Sequence, residues 1–241
     1  MEYSCITDIG LVREKNQDSY IAITNKYGDF LALVADGIGG GKAGEVASGE
    51  LIKYFEYIFK ESGPFDSLED VMNFLEFHIM TCNRHIYDLS KKYPEYSGMG
   101  TTLTGIMITS LGTVALNCGD SRVYGIIDDM LIHLTKDHTL INQMLENGEI
   151  TYEESLNHPK KHYRTKAIGI FDKAEADIHS VKDMDYYLIC SDGLHSYVSD
   201  EEIINIITNN KLSVEEKVED LKNLALLKGG FDNTTIILVR K

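Results

Sequence analysis

The stretch TTLTGIMITSLGTVALNCGDSRVYGIIDDMLIHL, residues Thr101–Leu134, decides how this chain folds. Within it, Thr101–Thr109, Thr113–Cys118, Arg122–Ile127 and Met130–Leu134 are short runs rich in Val, Ile, Thr and Leu, separated by Gly, Asp and Ser. The gaps are too short for a crossover helix, so successive runs must return antiparallel.

Working outward, Ser19–Thr24 and Phe30–Ala35 read as strands on the N-terminal side, and Tyr186–Cys190 and Thr234–Val239 on the C-terminal side. Helical periodicity fills the intervals. One pattern opens near Gly44 and carries Leu51, Tyr54, Phe55, Ile58 and Phe59 on one face; a second opens after Ser67 with Val71, Phe74, Leu75, Ile79, Cys82, Ile86 and Leu89. A third runs from Ser213 with Val214, Val218, Leu221 and Ala225. Ser67 before Asp70 and Ser213 before Glu216 read as capping boxes, the first in an acidic variant. Helices segregated from runs of strands predict an α+β protein with antiparallel sheets covered by helices. Residues 138–180 are polar, in places basic and weakly periodic, and read as a helical excursion leading into a flap over the sheet edge.

Composition narrows the function classes. The chain has 241 residues, 38 acidic against 23 basic side chains and a net charge of −15, which opposes binding to a phosphate backbone. No apolar run reaches the length of a membrane span, and the start MEYSCITDIG lacks a basic-then-apolar leader, so the expected location is the cytoplasm. The four cysteines (Cys5, Cys82, Cys118 and Cys190) form no C-x-x-C pair and read as reduced thiols, mostly buried. With three prolines and neither repeat nor linker, the chain reads as one domain, residues 1–241.

Four aspartates interrupt otherwise apolar strands at their ends. Asp36 ends FLALVA, Asp120 follows TVALNCG, Asp192 follows YYLICS, and Asp232 precedes NTTIILV. A single Asp-Gly is explained as a turn. Four carboxylates at the rim of a core need compensation, and cations would supply it to all of them together. Carboxylates without matching Cys or His favour hard ions such as Mg²⁺ or Mn²⁺.

The segments REKNQD (Arg13–Asp18), VADGIGGGKAGEVAS (Val34–Ser48), GMGTT (Gly98–Thr102), CGDSRVY (Cys118–Tyr124), LTKDHT (Leu134–Thr139), NGEIT (Asn147–Thr151), NHP (Asn157–Pro159), CSDGL (Cys190–Leu194) and GGFDNTT (Gly229–Thr235) carry a resemblance. In this order and spacing they resemble the bacterial short form of the metal-dependent protein phosphatases, the type 2C family, over nearly the whole chain. The resemblance implies a four-layer α-β-β-α sandwich, two central antiparallel sheets flanked by helix pairs, with the metal centre in a cleft at one end. It implies that Asp36 bridges two metal ions, that Gly37 lends its carbonyl, and that Asp192 and Asp232 complete the first ion's ligands. Asp120, with Asp192, would hold a third, weaker ion. Arg13 resembles the phosphate-binding arginine, and Asp18 a carboxylate that orients metal-bound water. The implied reaction is hydrolysis of phosphoserine and phosphothreonine by a metal-bridging hydroxide, in a monomer serving a Ser/Thr kinase system.

The pattern breaks at DGIGGG, where Ile38 and Gly41 stand in place of the Met and His of many bacterial members; longer members have a histidine at position 38. The proton for the leaving oxygen would then come from metal-bound water or from a flap histidine, His138, His158 or His162, each of which reads first as a structural or solvated residue; none is preferred. The flap's KKHYRTK (Lys160–Lys166) is either a solvated loop or a surface for acidic substrate. Three rivals stand beside this reading. Gly39–Gly44 satisfies G-x-G-x-x-G, a nucleotide-binding pattern, although Asp36 sits where a pyrophosphate needs positive surroundings. His158 and His162 have zinc-like spacing without a companion pair. A family member that binds phosphoproteins with weak catalysis is the third.

Overall fold

A computed structural model describes residues 1–39, 43–156, 158–160 and 163–241. Among the described residues there are eleven strands: β1 (Glu2–Asp8), β2 (Asp18–Thr24), β3 (Phe30–Ile38), β4 (Gly100–Thr101), β5 (Leu103–Thr109), β6 (Gly112–Cys118), β7 (Arg122–Ile127), β8 (Met130–His133), β9 (Asp177–Val181), β10 (Tyr186–Cys190) and β11 (Thr234–Arg240). Seven α-helices accompany them: α1 (Ala43–Lys60), α2 (Leu68–Lys92), α3 (Leu140–Glu146), α4 (Tyr152–Leu156), α5 (Asp192–His195), α6 (Asp200–Ile207) and α7 (Val214–Leu227).

Every strand pairing is antiparallel. One sheet has the order β1-β11-β10-β7-β8; the other runs β2-β3-β5-β6-β9, with β4 added beside β3. Strand alternation assigns each side chain to a layer. Along β3, Phe30, Ala32 and Val34 enter the interface between the sheets, while Leu31, Leu33 and Ala35 face α1 and α2. Along β11, Ile237 and Val239 join the same interface, and Ile236 and Leu238 face α6 and α7. The result is the α-β-β-α sandwich, with apolar cores at each sheet–helix interface and between the sheets. Phe55, Leu51 and Phe59 of α1 are fully buried, each contributing about 1.5–3 kcal/mol through burial.

The helix starts follow local chemistry. Ser213 and Glu216 form the reciprocal capping box, and Ser199 with Glu202 forms a second at α6. Ser67 Oγ accepts from the Asp70 N–H at 3.1 Å and donates to its carboxylate at 2.9 Å. The 138–180 stretch contains α3 and α4, and its last residues enter edge strand β9, paired to β6. All four cysteines are free thiols; three are buried, and Cys5 is partly exposed. Among the described residues, no helix is long and apolar enough to cross a membrane.

Candidate metal centre

The aspartates singled out by the sequence gather at one end of the sandwich. Asp36 lies near the end of β3, Asp120 in the turn before β7, and Asp192 opens α5 directly after β10. One carboxylate oxygen from each of these three lies within 4.8 Å of the other two. Asp232, just before β11, stands beside them and binds Arg13 Nη2 at 2.6 Å.

Backbone contacts fix this geometry. The Asp36 N–H donates to Thr102 Oγ1 at 2.9 Å, and its carbonyl accepts from the Thr102 N–H at 2.8 Å and from Thr101 Oγ1 at 3.0 Å. Gly37 is a glycine because α1 begins against it: a Cβ there would overlap the Gly44 carbonyl and approach the Gln17 carbonyl at 2.6 Å. Asn233, buried, ties the two ends of the chain together. Its Nδ2 donates to the carbonyls of Ile9 and Lys15, both at 2.9 Å, and its Oδ1 accepts from the Gln17 N–H at 2.9 Å. This places the loop carrying Arg13 against the turn carrying Asp232.

Asp18 pairs with Asp36 across β2 and β3. Its Oδ2 accepts from Ser191 Oγ at 2.7 Å, while its Oδ1 is buried with no partner among the described residues. Burial pushes the Asp18 carboxyl up to about 7, against the opposing hydrogen bonds of Ser191 and Thr235. Burial likewise raises Asp36 and Asp192 well above the ordinary carboxylate range, with Arg164 opposing the shift in both. Crowded, desolvated carboxylates of this kind demand a cation.

A guanidinium supplies that charge here. Arg164 Nη2 donates to Asp36 Oδ2 at 2.6 Å and to Asp192 Oδ2 at 3.2 Å, and its Nε donates to Asp120 Oδ1. Burial works against its positive charge, but the three carboxylates outweigh this and hold it protonated. A cation bridging three carboxylates is the electrostatic arrangement that a divalent ion would satisfy. The all-oxygen donor set and the unpartnered Asp18 oxygen therefore fit a hard metal.

Arg164 corrects one expectation. As part of Lys160–Lys166 it was expected either in solvent or facing substrate, yet its side chain is only 19% exposed and points into the acids. Lys166 turns to Asp177 at 3.2 Å, leaving Lys160 exposed; Lys161 and His162 lie outside the described residues. Gly40, Gly41, Lys42 and Asn157 lie outside them too. Of the flap histidines, His138 is committed to structure. Its Nδ1 accepts from the Gly119 N–H at 3.1 Å, and its Nε2 meets Asp177 at 3.1 Å. His158 Nδ1 accepts from the Lys160 N–H at 3.2 Å. The nucleotide-binding rival fails on topology: β3 pairs antiparallel with both β2 and β5, where a dinucleotide fold needs parallel strands.

Thr102, Ser191 and Asn233 are site residues that sequence reading did not single out, although all three lie inside quoted motifs, so the motifs were a usable signal. Arg164 was read with its basic loop, as solvated or as a contact for acidic substrate, and nothing local marks it as a partner of the aspartates.

The chain belongs to the protein phosphatase 2C family, whose model matches residues 12–226. It is 35% identical to the serine/threonine phosphatase stp of Listeria welshimeri, covering 98% of this chain and 94% of that one. It is 34% identical to the protein phosphatase PhpP of Streptococcus pneumoniae, covering 99% and 97%. Among solved structures, the serine/threonine phosphatase Stp1 from Staphylococcus aureus superposes with a TM-score of 0.93 at 33% identity, over 100% of this chain and 94% of that one.

Proposed function

We propose that this protein is a metal-dependent phosphatase that removes phosphate from phosphoserine and phosphothreonine in proteins. The observation that carries the reading is the convergence of Asp36, Asp120 and Asp192 around a positive charge, in a chain of the phosphatase 2C family. In this reading Asp36, the Gly37 carbonyl, Asp192 and Asp232 would hold the ions of the core site, and Asp120 with Asp192 would hold a third, weaker one. Oxygen donors favour Mn²⁺ or Mg²⁺ over zinc. Bound there, the ions activate water for in-line attack on phosphorus and neutralise charge on the phosphoryl group.

The chain's own side chains supply the rest. Arg13 is half exposed and anchored by Asp232, which orients its guanidinium to grip phosphate oxygens and stabilise charge in the transition state. Asp18 keeps one oxygen free of protein partners, which suits it to accept a hydrogen bond from water in the cleft. Arg164 must leave the aspartates before ions occupy the same oxygens.

The same reading extends to the protein's setting. Residues 1–241 act as one catalytic domain with a flap at about 138–180, as a cytoplasmic monomer opposing a Ser/Thr kinase system. Its net charge of −15 disfavours nucleic acid, and no membrane partner is invoked. The test is phosphate release from a phosphothreonine peptide with Mn²⁺, Mg²⁺ or EDTA, in the wild type and in Asp192→Asn. Release that collapses in EDTA and in the variant is expected. Folded protein that releases no phosphate with either metal would overturn the proposal.

A further inference from the structure

A groove of about 310 Å³ adjoins the metal centre on the β3 side, lined by Ile38, Tyr163, Arg164, Ala167, Ile170 and Phe171. Apart from Arg164 its walls are apolar or aromatic, and Phe171 and Tyr163 are 49% and 62% exposed. Two aromatic side chains thus stand open beside the cluster of aspartates.

The wall is built into the fold. The Ile168 N–H donates to the Thr101 carbonyl at 2.8 Å, and the Thr101 N–H donates back at 2.9 Å. Buried Asn83 of α2 accepts from the Gly169 N–H at 2.7 Å and donates to the carbonyls of Phe171 at 3.1 Å and Asp172 at 3.3 Å. These bonds hold residues 168–172 against β4 and α2, so the Ile170–Phe171 wall of the groove is preformed. It is also continuous with the catalytic cleft. Ile38 lies two residues beyond Asp36 on β3, about 7 Å along an extended strand, and Arg164 spans from the groove to Asp36.

We propose that this groove is a specificity subsite that takes an apolar side chain, Leu, Ile, Met or Phe, from the phosphoprotein substrate, within two residues of the phosphorylated position. The inference rests on the phosphatase reading above and deepens it. In an extended peptide, residues two apart lie on the same side about 7 Å from each other, which matches the spacing from Asp36 to Ile38. The volume accommodates one large side chain, and among the described lining residues Arg164 is the one charged group.

The experiment is a phosphothreonine peptide series with Mn²⁺. Alanine at each of the two positions on either side is replaced in turn by Leu, Phe or Glu, and p-nitrophenyl phosphate is run in parallel. Partial burial of one such side chain predicts a Leu-to-Ala preference in kcat/KM of about five- to tenfold at one position, expressed mainly in KM. Phe171→Ala should shrink that ratio to about twofold or less. The ratio is read within each enzyme, so a general loss of activity does not mimic it. Metal-dependent hydrolysis with a flat scan in the wild type would overturn the subsite and leave the phosphatase reading standing. An unchanged ratio in a folded, active Phe171→Ala protein would also overturn it. No hydrolysis of either substrate class would overturn both readings.

Discussion

Replacing Arg164 with alanine isolates the charge at the heart of the acidic cluster. The guanidinium touches Asp36, Asp120 and Asp192, and its side chain is only 19% exposed. Removing one partner of a buried ion pair costs about 3–5 kcal/mol. Here the carboxylates can take up protons instead, and Asp36 and Asp192 are already displaced in that direction by burial. The expected loss in metal-free protein is therefore about 2–3 kcal/mol. For a chain of this size that is a melting temperature lower by roughly 4–12 °C.

With metal the arithmetic reverses. A divalent ion and the guanidinium compete for the same oxygens, so loading the wild type requires Arg164 to give up its bonds. The variant makes no such exchange, and its destabilisation should nearly vanish at saturating Mn²⁺. The assay is a thermal melt of both proteins in EDTA and across a Mn²⁺ titration, with apparent Kd read from the shift. The variant should gain more stability on metal addition and saturate at lower Mn²⁺. Equal shifts in the two proteins would refute the competition and, with it, the assignment of these oxygens to metal.

Other outcomes follow from the same geometry. Arg13→Ala should lower kcat/KM for p-nitrophenyl phosphate by about 10²-fold, with Arg13→Lys recovering little because a lysine cannot grip two oxygens in a plane. Gly193→Ala places a Cβ inside the Asn233 carbonyl and 2.7 Å from Thr234 Oγ1; about 2–4 kcal/mol of stability is expected to be lost in urea titrations, together with metal affinity, since α5 carries Asp192. His138 should make stability fall as acid is added. Burial holds its ring below the ordinary histidine range, despite the opposing Asp177, and protonating Nδ1 would break the bond from Gly119. The unfolded chain therefore takes up its proton at a higher pH than the folded chain, and stability declines as pH drops through the ordinary histidine range. Urea midpoints between pH 7.5 and 5.5 should fall less steeply in His138→Asn than in wild type.

The central strands were legible because each carries apolar residues on both faces, as a strand between two covered surfaces must. Tyr186–Cys190 and Arg122–Ile127 matched residue for residue. Two missed strands, β1 and β9, are sheet edges, paired on one side only and largely unburied, so EYSCITD and DIHSV carry little hydrophobic signal, and the run Thr101–Thr109, read as one strand, divides at Thr102 into β4 and β5. Short α5 and α6 escaped for a different reason: four and eight residues give too few turns for periodicity, although Ser199 and Glu202 signal the second. At the site, strand-end aspartates could be found one by one, but their meeting depends on how two sheets stack, which no local spacing encodes. Arg164 was the least legible, since a basic residue in a basic loop reads as surface until the fold of residues 138–180 turns it inward.

The pairing of β11 between β1 and β10 has a consequence for biosynthesis. In chain order β11 follows every other described strand, yet it is an inner one of its sheet, and it comes directly after Asp232 and Asn233, which fasten the Arg13 loop. A growing chain can assemble the β2-β3-β5-β6 sheet and bring Asp36 and Asp120 together early. It cannot seat Arg13 or close the first sheet until residues 232–240 arrive. A chain cut before residue 232 lacks both the inner strand of that sheet and the contacts that hold the Arg13 loop, and is expected to be inactive.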